Sequence, residues 1–347
     1  ILIDADPDPL IGDAMRPGVR FVSLSVAPRA ETVQVQDRTF SNASLLNRPG
    51  AEDLRKGVLS IVEREVAQAE GRGVLLVATQ PVLAQLHRDV DPATPAGSPD
   101  DLMRPLLGAM PRWYGPRLQG VNTYRDFETV ILLGRLEPPV PAIDAQLRAL
   151  AADTGTPLTF AAGRSPVAGW FPEMTGWYLR PEGNFDPAKV QHHPDPRGAA
   201  LLAQNREAHM LQALARIRAV GAEAPKRIVV LCSIPLPEIP VDELVTWSEF
   251  LTGIPADLAG KVDTLRRAIR RPDGSLANQL RLSVGGLTQD APHVFPITHE
   301  WRRGLPTGRL PDVLNHVERL DGVRMTLSMS RREGGGRETP IVSISAG

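Results

Sequence analysis

Three polar side chains interrupt the run HMLQALARIRAV, residues 209–220, whose Met210, Leu214 and Ile217 form an apolar stripe at helical spacing. Gln212 and Arg216 stand four apart and share one helix face. On a straight helix Arg218 lies about two hundred degrees around from Arg216 and points elsewhere. A guanidinium beside a carboxamide suits a nucleotide phosphate, so Arg216 is a candidate arginine finger, a cation that stabilises charge developing on a transferring phosphoryl group. The same pattern also suits a solvated helix face.

A second stretch, GPRLQGVNTYRDFETVILLGR at residues 115–135, places Gly120 and Asn122 in a loop before an apolar strand. Glycine lets a backbone approach a ligand closely, and an Asn side chain can bond a phosphate or hold the loop. The opening DAD puts Asp4 and Asp6, with Asp8 close behind, where two carboxylates could hold Mg²⁺; a strand end entering a turn reads equally well. HHPD at residues 192–195 has metal-ligand residue types but no second cluster at helical or hairpin spacing, which favours a surface loop. VDEL at residues 241–244 follows prolines and reads as a helix N-terminus. In the tail, KVDTLRRAIRR sets Arg266, Arg267, Arg270 and Arg271 in pairs along one helix side, suitable for backbone phosphates or simply for solvent. The phosphate-cradling pattern GxxxxGK[ST] is absent, so the chain cannot hold a nucleoside triphosphate unaided.

These residues need elements to position them. Across 347 residues, 42% hydrophobic, short apolar runs at 1–4, 20–26, 32–36, 74–78, 129–133 and 228–232 alternate with helix-like patterns, the signature of a parallel α/β sheet. Leu54, Val58, Ile61, Val62, Val66 and Ala69 recur at helical spacing and stop at Gly71. Thr79 precedes a helix with a proline in its first turn. Residues 151–198 lack periodicity and read as an insertion with short strands. Prolines 235, 237 and 240 mark a boundary near residue 240, dividing a first domain, 1–240, from a smaller α+β region, 241–347. There the apolar run TPIVSISA predicts a strand and SRREGGGRE a loop.

The 39 Lys and Arg nearly cancel the 40 Asp and Glu, so a net charge of −1 provides no global field for nucleic acid or an anionic membrane. The single Cys232 excludes an internal disulfide and a thiolate zinc cluster, which points to a reducing, cytoplasmic setting. No apolar run reaches the roughly 18 residues of a membrane span. The chain begins in a strand-like run without Met, which suggests that an upstream domain precedes it.

Taken in order, these segments resemble the second motor domain of superfamily-two helicases, especially helicase-like proteins of phages and integrated mobile elements. ILIDADPDPL resembles the entry to that domain, with Asp6 where Thr is commoner. VLLVATQ is similar to motif IV, QGVNTYRDFETVILLGR to a variant of motif V, and QALARIR to motif VI, whose pattern is Q-x-x-G-R-x-x-R. The resemblance covers roughly residues 1–240 and implies a RecA-like parallel sheet flanked by helices. It also implies that Gln212 and Arg216 face ATP and Mg²⁺ held by a P-loop domain upstream in the same gene. Gly120 and Asn122 would couple nucleotide state to a DNA strand, and Thr79 would contact the nucleic-acid backbone. Ala215 replaces the usual Gly, and the second Arg sits at 218 while Ala219 holds its expected place. Arg218 therefore remains a candidate cofactor contact of altered spacing.

The leading expectation is the C-terminal part of an ATP-dependent DNA helicase or translocase, inactive by itself. The alternatives are a metal-dependent phosphotransferase or nuclease-like domain using Asp4 and Asp6, and a non-catalytic module that binds partners or nucleic acid.

Overall fold

The computed structural model describes residues 8–15, 18, 20, 26–93, 98–115, 118, 122–152, 155–270, 275–276, 279–283, 294–296, 310–330 and 339–346. The chain forms two compact units, Ile1–Trp247 and Ser248–Gly347. Among the described residues no helix is long and apolar enough to cross a membrane.

The first unit is built on a six-stranded parallel sheet flanked by helices. Its strands are β1 (Ala30–Val35), β2 (Val74–Ala78), β3 (Met110–Trp113), β4 (Thr129–Leu133), β7 (Lys226–Leu231) and β8 (Glu243–Val245), in the spatial order β3-β2-β4-β7-β1-β8. Every residue of β2 and β4 is buried, as strands covered on both faces require, and this is why their sequences read as unbroken apolar runs. A hairpin of β5 (Glu173–Leu179) and β6 (Phe185–Gln191) fills the insertion. The helices are α1 (Pro9–Met15), α2 (Asn42–Leu46), α3 (Ala51–Gln68), α4 (Gln80–Val90), α5 (Pro99–Leu102), α6 (Val140–Leu150), α7 (Pro196–Asn205) and α8 (Glu207–Leu214).

Alternate residues of the strands point to opposite faces. Leu75, Val77, Val130, Leu132, Ile228 and Val230 share one core with Met210, Ala213 and Leu214 of α8, and with Tyr178, Ala188 and Val190 from the inner face of the hairpin. The helix that carries Gln212 is thus clamped between the sheet and the hairpin. On α3 the stripe Leu54, Val58, Ile61 and Val62 is buried, together with Glu65, whose carboxylate accepts from Arg227 Nε at 2.6 Å.

Two sequence expectations give way here. VDEL is not a helix N-terminus: Glu243–Val245 form β8, because Asp242 turns its carboxylate to the Thr32 backbone N–H at 2.7 Å and steers the following residues alongside β1. HHPD is not a surface loop: His193 and Asp195 are buried. His193 Nε2 bonds Asp144 Oδ1 at 2.9 Å, Asp144 accepts the backbone N–H groups of Ala161 and Ala162, and Asp195 caps α7. This polar knot ties the insertion to α6. Gly198 is required beside it, since a Cβ there would lie 2.1 Å from His193 Nδ1. The expected strand at 1–4 and most of that at 20–26 lie outside the described residues.

The second unit has a four-stranded sheet in the order β10-β9-β12-β11, from β9 (Gln279–Ser283), β10 (Val294–Pro296), β11 (Val323–Ser330) and β12 (Thr339–Ala346). All its pairs are antiparallel except β9 with β10. TPIVSISA is β12, whereas the loop expected after Ser330 lies outside the described residues. The helices Ala256–Ala268 and Leu310–Asp321 pack through Leu258, Val262, Leu265, Val313 and Val317. Asp321, nearly fully buried, receives Arg266 Nε and an Arg270 amino group, each at 2.7 Å. Burial works against its charge, but the two guanidiniums prevail and hold its carboxyl below the usual range. A lowered carboxyl contributes stability that is complete above the unfolded value, about pH 4, and is lost as pH falls through the lower folded value. Acidification from pH 5 to pH 2 should therefore loosen this unit, and Asp321→Asn should flatten that part of the response in thermal unfolding followed by circular dichroism. An unchanged acid response in the variant would show that the pair carries no linkage.

Candidate functional site

The site begins where α8 ends. Ile217, fully buried, draws the chain down toward the sheet, and the α-helix stops at Leu214 in a tight 3₁₀ turn over Ala215–Ile217. Arg218 then takes a left-handed conformation, φ 51° and ψ 49°, and its N–H bonds the Ala215 carbonyl. A left-handed C-terminal residue is the commonest way to close a helix, but it is ordinarily Gly or Asn, so an Arg there carries some strain.

That turn corrects the straight-helix expectation for Arg218. It does not point away from Arg216: both line one cleft of about 560 Å³, together with Gln212, Asn122 and Glu238. Arg216 Nε donates to the Gln212 carbonyl at 3.0 Å, fixing its guanidinium against the last turn. Arg218 donates to Asn122 Oδ1 at 2.6 Å, a bond between residues 96 apart in sequence. Burial first, and then the like charge of Arg218, hold Arg216 below the usual guanidinium range.

Val26 and Pro28, just before β1, and Ile228, near the start of β7, also line the cleft, which puts it by the N-terminal ends of these strands. Four of the residues singled out by sequence therefore meet: Gln212, Arg216, Arg218 and Asn122. The others do not join them. Gly120 lies outside the described residues. Thr79 sits at the C-terminal end of β2, is buried, and its hydroxyl donates to Asn42 Oδ1 at 2.6 Å; it holds α2 to α4. In the second unit Arg266 and Arg270 are engaged with Asp321, Arg267 Nε bonds the Asp263 carbonyl of its own helix, and Arg271 lies outside the described residues.

The metal alternative rests on Asp4 and Asp6, with Asp8 close behind. Asp4 and Asp6 lie outside the described residues, and Asp8 Oδ1 accepts the backbone N–H groups of Leu10 and Ile11 at 2.8 and 3.1 Å, capping α1. Among the described residues no group of three His, Cys, Asp or Glu could hold a metal ion.

Two charged features escaped the sequence reading. Glu238 has φ 65° and reaches the cleft from the proline-rich loop after β7. Arg206, 1% exposed, joins three segments: its guanidinium donates to Glu137 Oε1 at 3.3 Å, to the Gln191 carbonyl at 2.9 Å and to Glu207 Oε1 at 2.6 Å. The only signal for it was an Arg-Glu pair at the junction of two helical stretches. No known protein family, no curated protein and no solved structure matches the chain.

Proposed function

We propose that this chain is the second motor lobe of an ATP-dependent DNA helicase or translocase, and that its cleft faces a nucleotide bound on a P-loop lobe. The observation that supports the reading best is the convergence of Asn122 with Gln212, Arg216 and Arg218, two segments distant in sequence, of which the helicase resemblance turns one toward the nucleotide and makes the other the link between nucleotide state and DNA. The parallel sheet flanked by helices is the frame such a lobe requires.

In this reading Mg²⁺-ATP on the other lobe supplies the phosphoryl group, and the residues of this chain supply charge and orientation. Arg216 stabilises negative charge that grows during transfer, which raises the rate without requiring tight ground-state binding. Gln212, one turn earlier on the same face, orients the nucleotide side, and Asn122 links the cleft to the segment before β4.

A split site makes a simple test. The 347-residue chain, assayed with and without single-stranded DNA, should show no ATP turnover above background, because it lacks a phosphate-cradling loop. Turnover of about one per second, an ordinary enzyme rate, would sink the proposal.

A further inference from the structure

The sheet of the second unit has two faces of different chemistry. Successive residues of a strand belong to opposite faces. Val323, Met325 and Ile344 pack with the helices Ala256–Ala268 and Leu310–Asp321, so the residues between them in β11 and β12 belong to the face away from these helices. Exposure alternates accordingly: Val323 and Ile344 are buried, whereas Arg324, Thr326 and Ser345 are exposed. Register carries the division across the sheet. Arg324 stands opposite Ser345 and Thr326 opposite Ser343; on the other side of β12, Gln279 stands opposite Ser343 and Arg281 opposite Ile341. All these positions share the face away from the two helices.

That face is polar and bears one sign of charge. The four strands contain two arginines, Arg281 and Arg324, and no Asp or Glu. Their single aromatic residue, Phe295, pairs with Leu282 at a position of the covered face. The unit as a whole is cationic: of the 39 basic and 40 acidic residues, 14 and 11 fall within 248–347, which leaves it at net +3 and the first unit at −4. On the helix side Asp321 neutralises Arg266 and Arg270. The strands hold no carboxylate that could do the same for their own arginines.

We infer that the face carrying the Arg281 and Arg324 positions binds the phosphate backbone of duplex DNA. The inference rests on the DNA partner of the motor-lobe reading and gives that partner a surface. Guanidinium, carboxamide and hydroxyl groups are the donors that phosphate oxygens accept. The two arginine positions lie two strands and four residues apart, about 16 Å at spacings of ~4.8 and ~3.4 Å. That span is roughly five steps of one duplex strand. Unpaired bases would want aromatic rings to stack on, and this face has none, so the duplex is favoured over the single strand. Contacts made to phosphates alone read no sequence.

Fluorescence anisotropy of the 347-residue chain with a labelled duplex of about 30 base pairs, between about 50 and 200 mM salt, tests the inference. The slope of log affinity against log salt should become shallower by about 1 in Arg324→Gln and by about 2 in the double variant Arg281→Gln, Arg324→Gln, since each phosphate contact contributes about 0.9. At the lower salt the double variant should bind about tenfold more weakly or worse. Arg267→Gln removes the same charge from an exposed site on the helix side and should leave the slope unchanged. Unchanged circular dichroism shows that the variants fold. An unaltered slope in the double variant, an equal loss in Arg267→Gln, tighter binding of a single strand of the same length, or no binding of the duplex at all would each overturn the inference. The motor-lobe reading stands or falls on ATP turnover instead, so DNA binding that survives in the double variant moves the contact elsewhere and leaves that reading intact.

Discussion

Replacing Arg216 by Ala, in a protein that joins this chain to its P-loop lobe, should lower ATP turnover by about a thousandfold while ATP affinity changes little. The asymmetry follows from what a finger does: it meets charge that exists only during transfer, so its loss is felt in the rate and not in the bound ground state. Arg218→Ala should cost only about tenfold, since its guanidinium is exposed and already shared with Asn122 Oδ1 at 2.6 Å. Gln212→Ala should leave basal hydrolysis measurable and abolish its stimulation by DNA. Steady-state kinetics with and without single-stranded DNA separate these outcomes. Wild-type turnover in Arg216→Ala with a large loss in Arg218→Ala would exchange the two roles; no loss in either would end the helicase reading of this helix.

The second large effect concerns the anchor of α8. Arg206→Met should destabilise the first unit by about 3–5 kcal/mol, the cost of removing one partner from a buried ion pair and leaving carboxylate uncompensated. Burial opposes the charge of Arg206, but Glu207 and Glu137 more than offset it and raise its pKa, so the cation is held firmly in place. Glu207 is the first residue of α8, whose other end carries the cleft. The double variant Arg206→Met, Glu207→Gln should recover part of the loss, because it removes the stranded charge as well. Urea denaturation measures both. A double variant no more stable than the single one would mean that Arg206 acts by packing rather than by charge.

Much of the sheet was legible because β2, β4 and the Ile228–Leu231 part of β7 are apolar runs followed by Thr, Gly or Cys-Ser, a pattern that burial on both faces imposes. β3, Met110–Trp113, was missed: it contains Pro111 and Arg112 and lies at the sheet edge, where no continuous apolar run is needed. β8 was missed because three residues carry no period. Within the cleft, Gln212 and Arg216 were readable from helical spacing and Asn122 from its loop. Arg218 was misplaced because a tertiary contact, the burial of Ile217, accompanies the end of the α-helix at Leu214, four residues before the position to which straight-helix geometry was applied. The His193–Asp144 bond spans 49 residues and leaves no local trace, which is why a buried knot looked like a surface loop.

The strand order carries a burden that falls on the growing chain. β1 has only two neighbours, β7 and β8, with Ala30 opposite Lys226 and Val33 opposite Glu243, so both edges of this strand are satisfied by segments made some two hundred residues later. At a synthesis rate of about 5–20 residues per second, its Thr-Val-Gln-Val run spends roughly 10–40 seconds outside the ribosome with no partner. Through that interval it is an exposed β edge of the kind that pairs with other chains. β2, β3 and β4 can assemble meanwhile, but the sheet closes only when β7 slots between β4 and β1. Newly made protein should therefore depend on holdase chaperones until about residue 245 has emerged, and nascent chains stopped before β7 should aggregate where those stopped after β8 do not.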